Sequence, residues 1–468
     1  MPREQPAPDP AAATRRQALR RLQRLARASA AAALALLLAA CGVPPRRPAP
    51  VTQASAPPTA ANSAPAAPAA PPPPAASAAL PDPAGLALRP ASFAQLPGWQ
   101  DDDFRGLWQA WRRDCRAQVR LLAGACAASS GIADDDLQAQ RGFFEQWFRP
   151  WQMLAPDGHA HGLVTGYFEP VYPGSTERRW PYVVPVWGAP PGLVPMAASA
   201  PGQPDRGRVV DTADGQRIVP FWSRAQIEHD PLARQLLSRH VVAWLESPVD
   251  ALFLQVQGSG LVRLPDGSLL RLSYAGDNGW PYESVGRWLL DRGDLRGSVT
   301  MQSIGAWARM HPDQVQHMLD ADPRVVFFHA APLDGAVRGP LGALGVPLTS
   351  LRSIAVDKSL LALGVPVWLS TTVNARPLRR LLFAQDVGGA IRGPLRADLF
   401  FGTGEAAGQA AGRMQSPARM WVLLPRAADP AADLRRARMQ QPCPRPVASG
   451  VMQAASPPGV RPDACPDA

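Results

Sequence analysis

The sequence predicts a mainly β protein with peripheral helices, an α+β chain in which the strands close into a barrel. Short β-rich runs between turn dipeptides begin at Gly162 and start again near Arg324. Glycine-rich corners, such as Gly388-Gly389 and Gly402, separate the later runs. Strands at short intervals with glycine-rich corners favour a barrel over an open α/β sheet. About 335 residues of globular sequence also favour two domains.

The first forty residues predict export. Six arginines between residues 15 and 27 precede a largely apolar stretch at residues 28–40. This stretch has only about two-thirds of the ~20 residues that a spanning helix needs, so residues 1–40 are predicted to be a signal peptide. Its end, "LAAC", resembles a bacterial lipobox and predicts lipidation of Cys41, with Gly42 resembling an outer-membrane sorting signal. The alternative is an ordinary secretory signal with a chance cysteine.

Residues 41–93 are mostly Pro, Ala and Ser and lack the large apolar residues of a core. Such chains favour extended conformations, so a stiff tether is predicted after the lipidated cysteine. The formal net charge is +10, and Lys358 is the only lysine among 48 basic residues. No basic run interleaved with aromatic residues occurs in the globular part, so no nucleic-acid partner is predicted.

Cysteine usage fits an oxidising compartment. Four cysteines follow Cys41, and proximity favours the pairs Cys115–Cys126 and Cys443–Cys465. No C-x-x-C and no H-E-x-x-H spacing occurs, so neither a metal nor a cofactor is predicted.

Two helices with acidic starts are predicted near residues 104–115 and 137–147, packed as a pair. The run "LVRLPDGSLLRL" predicts a hairpin bending at Pro265-Asp266-Gly267, and "SPVDALFLQVQ" before it is predicted as a further strand of the meander. Helices are expected in "PYESVGRWLLDRG" and "TMQSIGAWARMHPDQVQHMLDAD", and strands return from residue 324. Residues 429–468 are Ala-, Pro- and Arg-rich and are predicted to be a flexible tail.

Three aspartates are candidate catalytic residues: Asp357, Asp386 and Asp398. An ionised carboxylate among apolar and small residues is costly without a partner. Burial beside "LFF" at residues 399–401 would raise the pKa of Asp398, and a protonated carboxyl can serve as a general acid. The alternative is that these aspartates cap turns.

A second cluster of polar and aromatic residues suggests a carbohydrate groove. Gln255 and Gln257 are placed on one strand face, followed by Ser259, and "SYAGDN" adds Ser273, Tyr274 and Asn278. Amides and hydroxyls can bind sugar hydroxyls, and aromatic rings can stack on sugar C–H faces. The alternative is a polar strand edge and a turn.

Other enzyme classes lack their signatures. The sequence has no G-x-S-x-G elbow and no P-loop. The "GTGEAAG" run resembles a dinucleotide loop, but the strand–helix frame that such a loop needs is not predicted around it.

The motifs together resemble the membrane-bound lytic murein transglycosylase A family. They are "VTGYFEP", "FLQVQGSG", "SYAGDNGWPY", "SIGAWARMHP", "AVDKSL" and "AQDVGGAIRGPLRADLFFGTGEAAGQAAGR". The resemblance implies a double-psi β-barrel catalytic domain at residues 94–170 plus 330–428. It also implies an inserted β-rich substrate-binding domain at residues 171–329, with a groove between the two. The first motif adds Thr165 and Tyr167 to the substrate-binding candidates.

The resemblance also implies a chemistry. Such enzymes cleave the β-1,4 bond between N-acetylmuramic acid and N-acetylglucosamine and leave a 1,6-anhydro ring. Asp398 falls on the family's catalytic acid, which then acts as base, with Asp386 and Asp357 as supporting residues. The implied partners are peptidoglycan glycan strands, the outer membrane through the N-terminal lipid, and complexes with other cell-wall enzymes. Two alternatives stay open: a non-catalytic peptidoglycan-binding lipoprotein, and a hydrolase that uses two carboxylates.

Overall fold

The structure is a computed structural model that describes residues 80–439, apart from 82–84, 201, 298, 334–338 and 374–375. All of these residues belong to one compact unit, Pro74–Ala468. The predicted signal peptide, Cys41, most of the tether, Cys443 and Cys465 lie outside the described residues. Within that part of the chain, no helix is both long and apolar enough to cross a membrane.

The strands are numbered in chain order. They are β1 (Leu80–Pro81), β2 (Ala87–Pro90), β3 (Phe148–Leu154), β4 (Gly162–Glu169), β5 (Val171–Ser175), β6 (Val184–Trp187), β7 (Leu193–Pro195), β8 (Arg206–Thr212), β9 (Gly215–Pro220), β10 (Val241–Leu245), β11 (Ser259–Arg263), β12 (Leu269–Asp277), β13 (Val326–Pro332), β14 (Ser353–Val356), β15 (Pro366–Val373), β16 (Arg376–Asp386), β17 (Arg396–Thr403) and β18 (Gln415–Pro425).

The helices lie before, between and after these strands. They are α1 (Leu107–Arg116), α2 (Ala123–Ala128), α3 (Leu137–Trp147), α4 (Arg224–His229), α5 (Pro231–Leu237), α6 (Pro248–Gln257), α7 (Val285–Asp291), α8 (Met301–Met310), α9 (Val315–Asp320), α10 (Glu405–Ala411) and α11 (Pro430–Met439). Short 3₁₀ turns add Phe93–Gln95, Trp99–Asp101, Arg120–Leu122 and Ser238–His240.

Six strands close into a barrel, in the order β18-β15-β16-β14-β17-β4, because β4 also pairs with β18. The β14–β16 and β17–β4 pairs are parallel, and the remaining pairs of the ring are antiparallel. Alternate residues of each strand fill the interior, among them Val164, Val367, Ala397 and Val422. The predicted barrel with peripheral helices is therefore confirmed.

The predicted N-terminal helical pair is also confirmed. Asp136 caps α3 by accepting a hydrogen bond from the Ala139 amide. The rings of Trp108 on α1 and Phe143 on α3 lie 5.5 Å apart, edge to face. The pair covers an outer face of the barrel through an aromatic cluster that includes Trp368. The predicted Cys115–Cys126 disulfide is present beside it.

A second sheet has the strand order β13-β12-β11-β5-β10-β6, and β7-β8-β9 form a separate three-stranded sheet. The predicted hairpin is β11–β12. The strand predicted for "SPVDALFLQVQ" is wrong, because this segment is helix α6. Ser247 caps its first turn, Pro248 occupies the first turn, and Gly258 ends it at φ 73°. The β-branched and aromatic residues had suggested a strand, but these end signals favour a helix.

Three further predictions are corrected. The "GTGEAAG" run does have a strand–helix frame, since β17 precedes it and α10 follows. The predicted tether ends too late, because β2 pairs with β3. The predicted flexible tail begins too early, because residues 430–439 form α11 and Leu434 is only 1% exposed.

Candidate active site

Four residues form a row across neighbouring strands of the barrel. In this row Thr165 of β4 is opposite Asp398 of β17, Asp398 is opposite Ala355 of β14, and Ala355 is opposite Asp386 of β16. Residues directly opposite each other point to the same face of a sheet. Their chain neighbours Val164 and Ala397 fill the barrel interior, so the row lies on the outer face. Two of the three candidate aspartates are thus brought together, with one strand between them.

A β-bulge aligns this row. Ile354 pairs with Ala384, but the next residue of β14, Ala355, pairs with Asp386. Gln385 is therefore the extra residue, and its side chain is buried. A bulge re-aims the side chains that follow it, and bulges are over-represented next to active sites. Without the bulge, the position of Asp386 would be taken by Gln385.

Asp398 has the environment of a proton-holding carboxyl. Burial raises its pKa to about 6, and the nearby Asp386 charge adds to the rise. A hydrogen bond from Thr165 Oγ1 to Asp398 Oδ1, 2.7 Å long, opposes the rise, as does the Arg396 guanidinium. Among the described residues, none donates a hydrogen bond to Oδ2. This oxygen can therefore meet a ligand atom.

Asp386 is held on both oxygens. Tyr167 donates its hydroxyl to Oδ2 at 2.8 Å, and the Ala343 amide donates to Oδ1 at 3.0 Å. Burial raises the pKa of Asp386, and these hydrogen bonds oppose the rise. The ring of Tyr167 packs against Phe400, 5.3 Å between centroids. The fixed Tyr167–Asp386 pair is suited to support and less suited to proton transfer.

Asp357 fixes a loop. It follows β14 and is buried. Its Oδ1 accepts hydrogen bonds from the amide and hydroxyl of Ser359, at 3.1 and 2.6 Å, and its Oδ2 accepts one from the Gly393 amide at 2.9 Å. The loop between the other two aspartates is thereby tied to the end of β14. These contacts correspond to the turn-capping alternative weighed for this residue.

The predicted sugar contacts divide into two groups. Tyr274 is 48% exposed, and its hydroxyl donates to Asp277. Ser259 and Ser273 are opposite each other in the β11–β12 hairpin. Ser273 is partly exposed, whereas Ser259 is buried.

Three of the predicted contacts have structural partners instead. Asn278 is fully buried; its amide donates to two carbonyls and accepts from the Val325 amide. Gln255 accepts from Arg224, and Gln257 accepts from the Phe168 amide at 3.0 Å. Both glutamines lie on helix α6, so the shared strand face predicted for them is wrong. Because its polar atoms are engaged inside the protein, Asn278 is not available to a sugar.

Two charged pairs near the row were not predicted. Glu169, at the end of β4, is buried; it accepts both hydrogen bonds of the Arg271 fork and one from Thr403. Arg324 donates to Asp277 at 2.6 Å and lies next to Gly389, three residues after Asp386. Glu169 lies in the motif "VTGYFEP" and Asp277 in "SYAGDNGWPY". Their arginine partners are distant in sequence, so the sequence alone did not predict these ion pairs.

In the described part of the chain, no group of three or more His, Cys, Asp or Glu side chains could hold a metal ion. A closed barrel that carries a raised-pKa carboxyl on its outer face fits the class of enzymes that use acid–base chemistry.

Comparison with known proteins agrees with this class. A family profile described as "MltA specific insert domain" matches residues 163–329, and one described as "3D domain" matches residues 352–424. Membrane-bound lytic murein transglycosylase A of Escherichia coli K12 is 32% identical over 286 residues, which cover 58% of this chain and 68% of that protein.

Two solved structures extend the comparison. The lytic transglycosylase LtgG of Burkholderia pseudomallei is 44% identical, with a TM-score of 0.50, covering 73% of this chain and 96% of that one. E. coli MltA with bound chitohexaose is 26% identical, with a TM-score of 0.55, covering 75% and 94%. The chain belongs to the membrane-bound lytic murein transglycosylase A family, and it is a peptidoglycan lytic transglycosylase.

Proposed function

We propose that this protein cleaves the β-1,4 bond between N-acetylmuramic acid and N-acetylglucosamine without water, with Asp398 as the single acid and base. The observation that carries the proposal is the setting of Asp398: its pKa is raised to about 6, one oxygen is held by Thr165, and none of the described residues donates to the other. A carboxyl with this pKa is partly protonated near neutral pH and can both give and take a proton.

The proposed reaction has two proton transfers. Asp398 first donates its proton to the bridging oxygen, the bond from C1 of the muramyl sugar to that oxygen breaks, and N-acetylglucosamine leaves as an alcohol. The ionised Asp398 then takes the proton of the C6 hydroxyl of the same muramyl sugar, whose oxygen bonds to C1. The product is a 1,6-anhydro ring, and Asp398 ends protonated as it began.

Asp386 supports this chemistry in the proposal. A charge near Asp398 helps keep the proton on Asp398. The two aspartates are separated by one strand, so their Cα atoms are about 10 Å apart. A hydrolase of the inverting type would need their two carboxyl groups to hold a water between them. Against this hydrolytic alternative, both oxygens of Asp386 already accept hydrogen bonds within the protein.

The proposed substrate-binding surface lies between the barrel and the β11–β12 hairpin, with Tyr274, Ser259 and Ser273 as contacts. The chitohexaose bound to the E. coli relative supports a sugar chain as ligand. The proposed domains are a catalytic domain at residues 94–170 plus 330–428 and an insert at 171–329; helix α6 and the β11–β12 hairpin fall in the insert.

We also propose that the mature protein is an outer-membrane lipoprotein that faces the periplasm. The sequence ending in "LAAC" and the description "membrane-bound" of its relatives support this location. Cys41→Ser should leave the protein unprocessed or free of membranes. Fractionation followed by mass spectrometry checks it, and a lipidated Cys41→Ser protein in the outer membrane would contradict the assignment.

The reaction type is tested by digesting purified sacculi with the protein and analysing the products by mass spectrometry. Anhydro-muropeptides, each one water lighter than a hydrolysed product, are expected. Reducing ends would favour the two-carboxylate hydrolase, and binding without any product would favour the non-catalytic lipoprotein.

A further inference from the structure

A buried chain of hydrogen bonds lies behind the bulge that aligns Asp386. The Gln385 amide nitrogen donates to Asp114 Oδ1 on helix α1, and the Gln385 amide oxygen accepts from the Ser353 hydroxyl at the start of β14. The Ser353 hydroxyl in turn accepts from the Thr349 amide at 2.7 Å. Asp114, Gln385 and Ser353 are all fully buried. The chain therefore ties the bulge to a helix on one side and to the neighbouring strand on the other.

This polar chain passes through a layer rich in aromatic side chains. Trp111 of the same helix and Phe383 of the same strand pack there with ring centroids 6.1 Å apart. A polar amide in such a layer is costly unless both of its ends are bonded. A Gln385 side chain that moved out of the bulge would lose its hydrogen bonds to Asp114, Ser353 and the Ala110 carbonyl, so the network strongly favours the bulged register.

Burial favours the neutral form of Asp114. Burial raises its pKa well above the usual range, and only the Gln385 hydrogen bond opposes this. Its Oδ2 has no hydrogen-bond partner among the described residues. A neutral carboxylic acid has nearly the shape of an asparagine side chain, and its Oδ1 can still accept the Gln385 hydrogen bond.

We propose that Asp114 and Gln385 are positioning residues for the reaction: together they hold the bulge in β16 and so aim Asp386 at the row that contains Asp398. The inference rests on the proposed function, because it assigns Asp386 a supporting role there. It adds a determinant on helix α1, which packs against the outer face of the barrel.

The principal test variant is Gln385→Met, which keeps the length of the side chain and removes its hydrogen bonds to Asp114, to Ser353 and to the Ala110 carbonyl. The expected kcat for anhydro-muropeptide release from sacculi falls by about 10- to 100-fold, since small misplacements of a supporting group carry costs of this order. KM should stay within about three-fold, because the Gln385 side chain is fully buried and does not touch the glycan.

The pH profile of kcat distinguishes a displaced Asp386 from a loss of protein stability. The Asp386 charge raises the pKa of Asp398. If the variant displaces Asp386, the pKa of Asp398 falls and the alkaline limb of the kcat profile moves to lower pH. A loss of stability alone would reduce the active fraction without moving the limb.

Asp114 supplies a matched pair of variants. Asp114→Asn should keep kcat within about three-fold of wild type, because the acceptor for Gln385 remains. Asp114→Leu should match Gln385→Met in both kcat and the shift of the limb. Ser353→Ala is a milder variant, because it removes only the hydroxyl that donates to the Gln385 amide oxygen. It tests the positioning of Asp386 if the larger changes prevent folding.

Folding of every variant is checked by circular dichroism and thermal melting. The proposal would be overturned if folded Gln385→Met kept the wild-type kcat and an unchanged alkaline limb of the pH profile. If the larger variants do not fold, the same result in folded Ser353→Ala would overturn it. An Asp114→Asn protein as impaired as Asp114→Leu would also overturn it. If wild type itself yields reducing ends, the proposed function fails; the same kcat and limb comparisons, made on the hydrolytic products, still decide whether this network aims Asp386.

Discussion

At the scale of single residues, the proposed mechanism depends on the environment of Asp398. The opposing influences are identifiable: burial and Asp386 raise its pKa, while Thr165 and Arg396 lower it. In the proposed mechanism the protonated form of Asp398 is the active acid, so activity should fall as pH rises through about 6. The alkaline limb of the pH profile thus reports this one carboxyl.

Thr165→Val tests this assignment. The threonine hydroxyl bonds to the carboxylate and lowers the pKa of Asp398, so its removal should raise that pKa further. The alkaline limb of kcat should therefore move to higher pH, the opposite direction from Gln385→Met. A limb that stays in place, measured on folded protein over a full pH series, would show that Asp398 does not set it.

The sequence predicted the raised pKa of Asp398, because its apolar neighbours are adjacent in the chain. It also named Asp357, Asp386 and Asp398 as candidate catalytic residues, which stays a prediction. It did not predict the Tyr167–Asp386 hydrogen bond or the Gln385 bulge. Both join residues that are far apart in sequence, and a bulge is set by pairing register, which composition does not encode. Asn278 shows the reverse error, since a polar residue in a turn can be fully buried when backbone groups satisfy its amide.

At the scale of elements, local signals predicted most strands and the two N-terminal helices. The β11–β12 hairpin followed from a turn between two apolar runs. Helix α6 was missed because strand propensity was weighed above the end signals at Ser247, Pro248 and Gly258. Helix α11 was missed because Ala- and Arg-rich composition fits both a loose tail and a helix held by one buried leucine, Leu434.

The disulfide at the end of α1 gives a prediction at this scale. Cys115 and Cys126 close a loop with a sequence separation of 11 residues. Replacing both by serine should lower the free energy of unfolding by about 2–3 kcal/mol, because a loop of this length restricts the unfolded chain by that amount. Urea unfolding measures the change, with kcat on sacculi as the control. An unchanged urea midpoint would contradict a stabilising role.

At the scale of the whole molecule, the barrel and the second sheet are joined by a buried ion pair. Glu169 ends β4 of the barrel, and Arg271 lies in β12 of the second sheet. Burial raises the pKa of Glu169, and the Arg271 charge opposes the rise. The pair thus connects the part of the molecule that holds Asp398 to the part proposed to hold the glycan.

Arg271→Met should be strongly destabilising, by about 3–5 kcal/mol, because it leaves a buried carboxylate without its partner. The folded-state pKa of Glu169 then rises further, so stability is retained at low pH and lost as pH rises through that pKa. Thermal melting at pH 5 and pH 8 measures this. An equal loss at both pH values would show that Glu169 is not the cause.

The most direct test of the central claim is the yield of anhydro-muropeptides from purified sacculi treated with Asp398→Asn protein. Asparagine nearly matches aspartate in shape but carries no titratable proton. The yield should fall by at least about 10²–10⁴-fold while circular dichroism shows a retained fold, since one group supplies both proton transfers. The Asp386→Asn protein, measured beside it, should lose less activity if Asp386 only supports. A near-normal yield of anhydro products from folded Asp398→Asn protein would contradict the account.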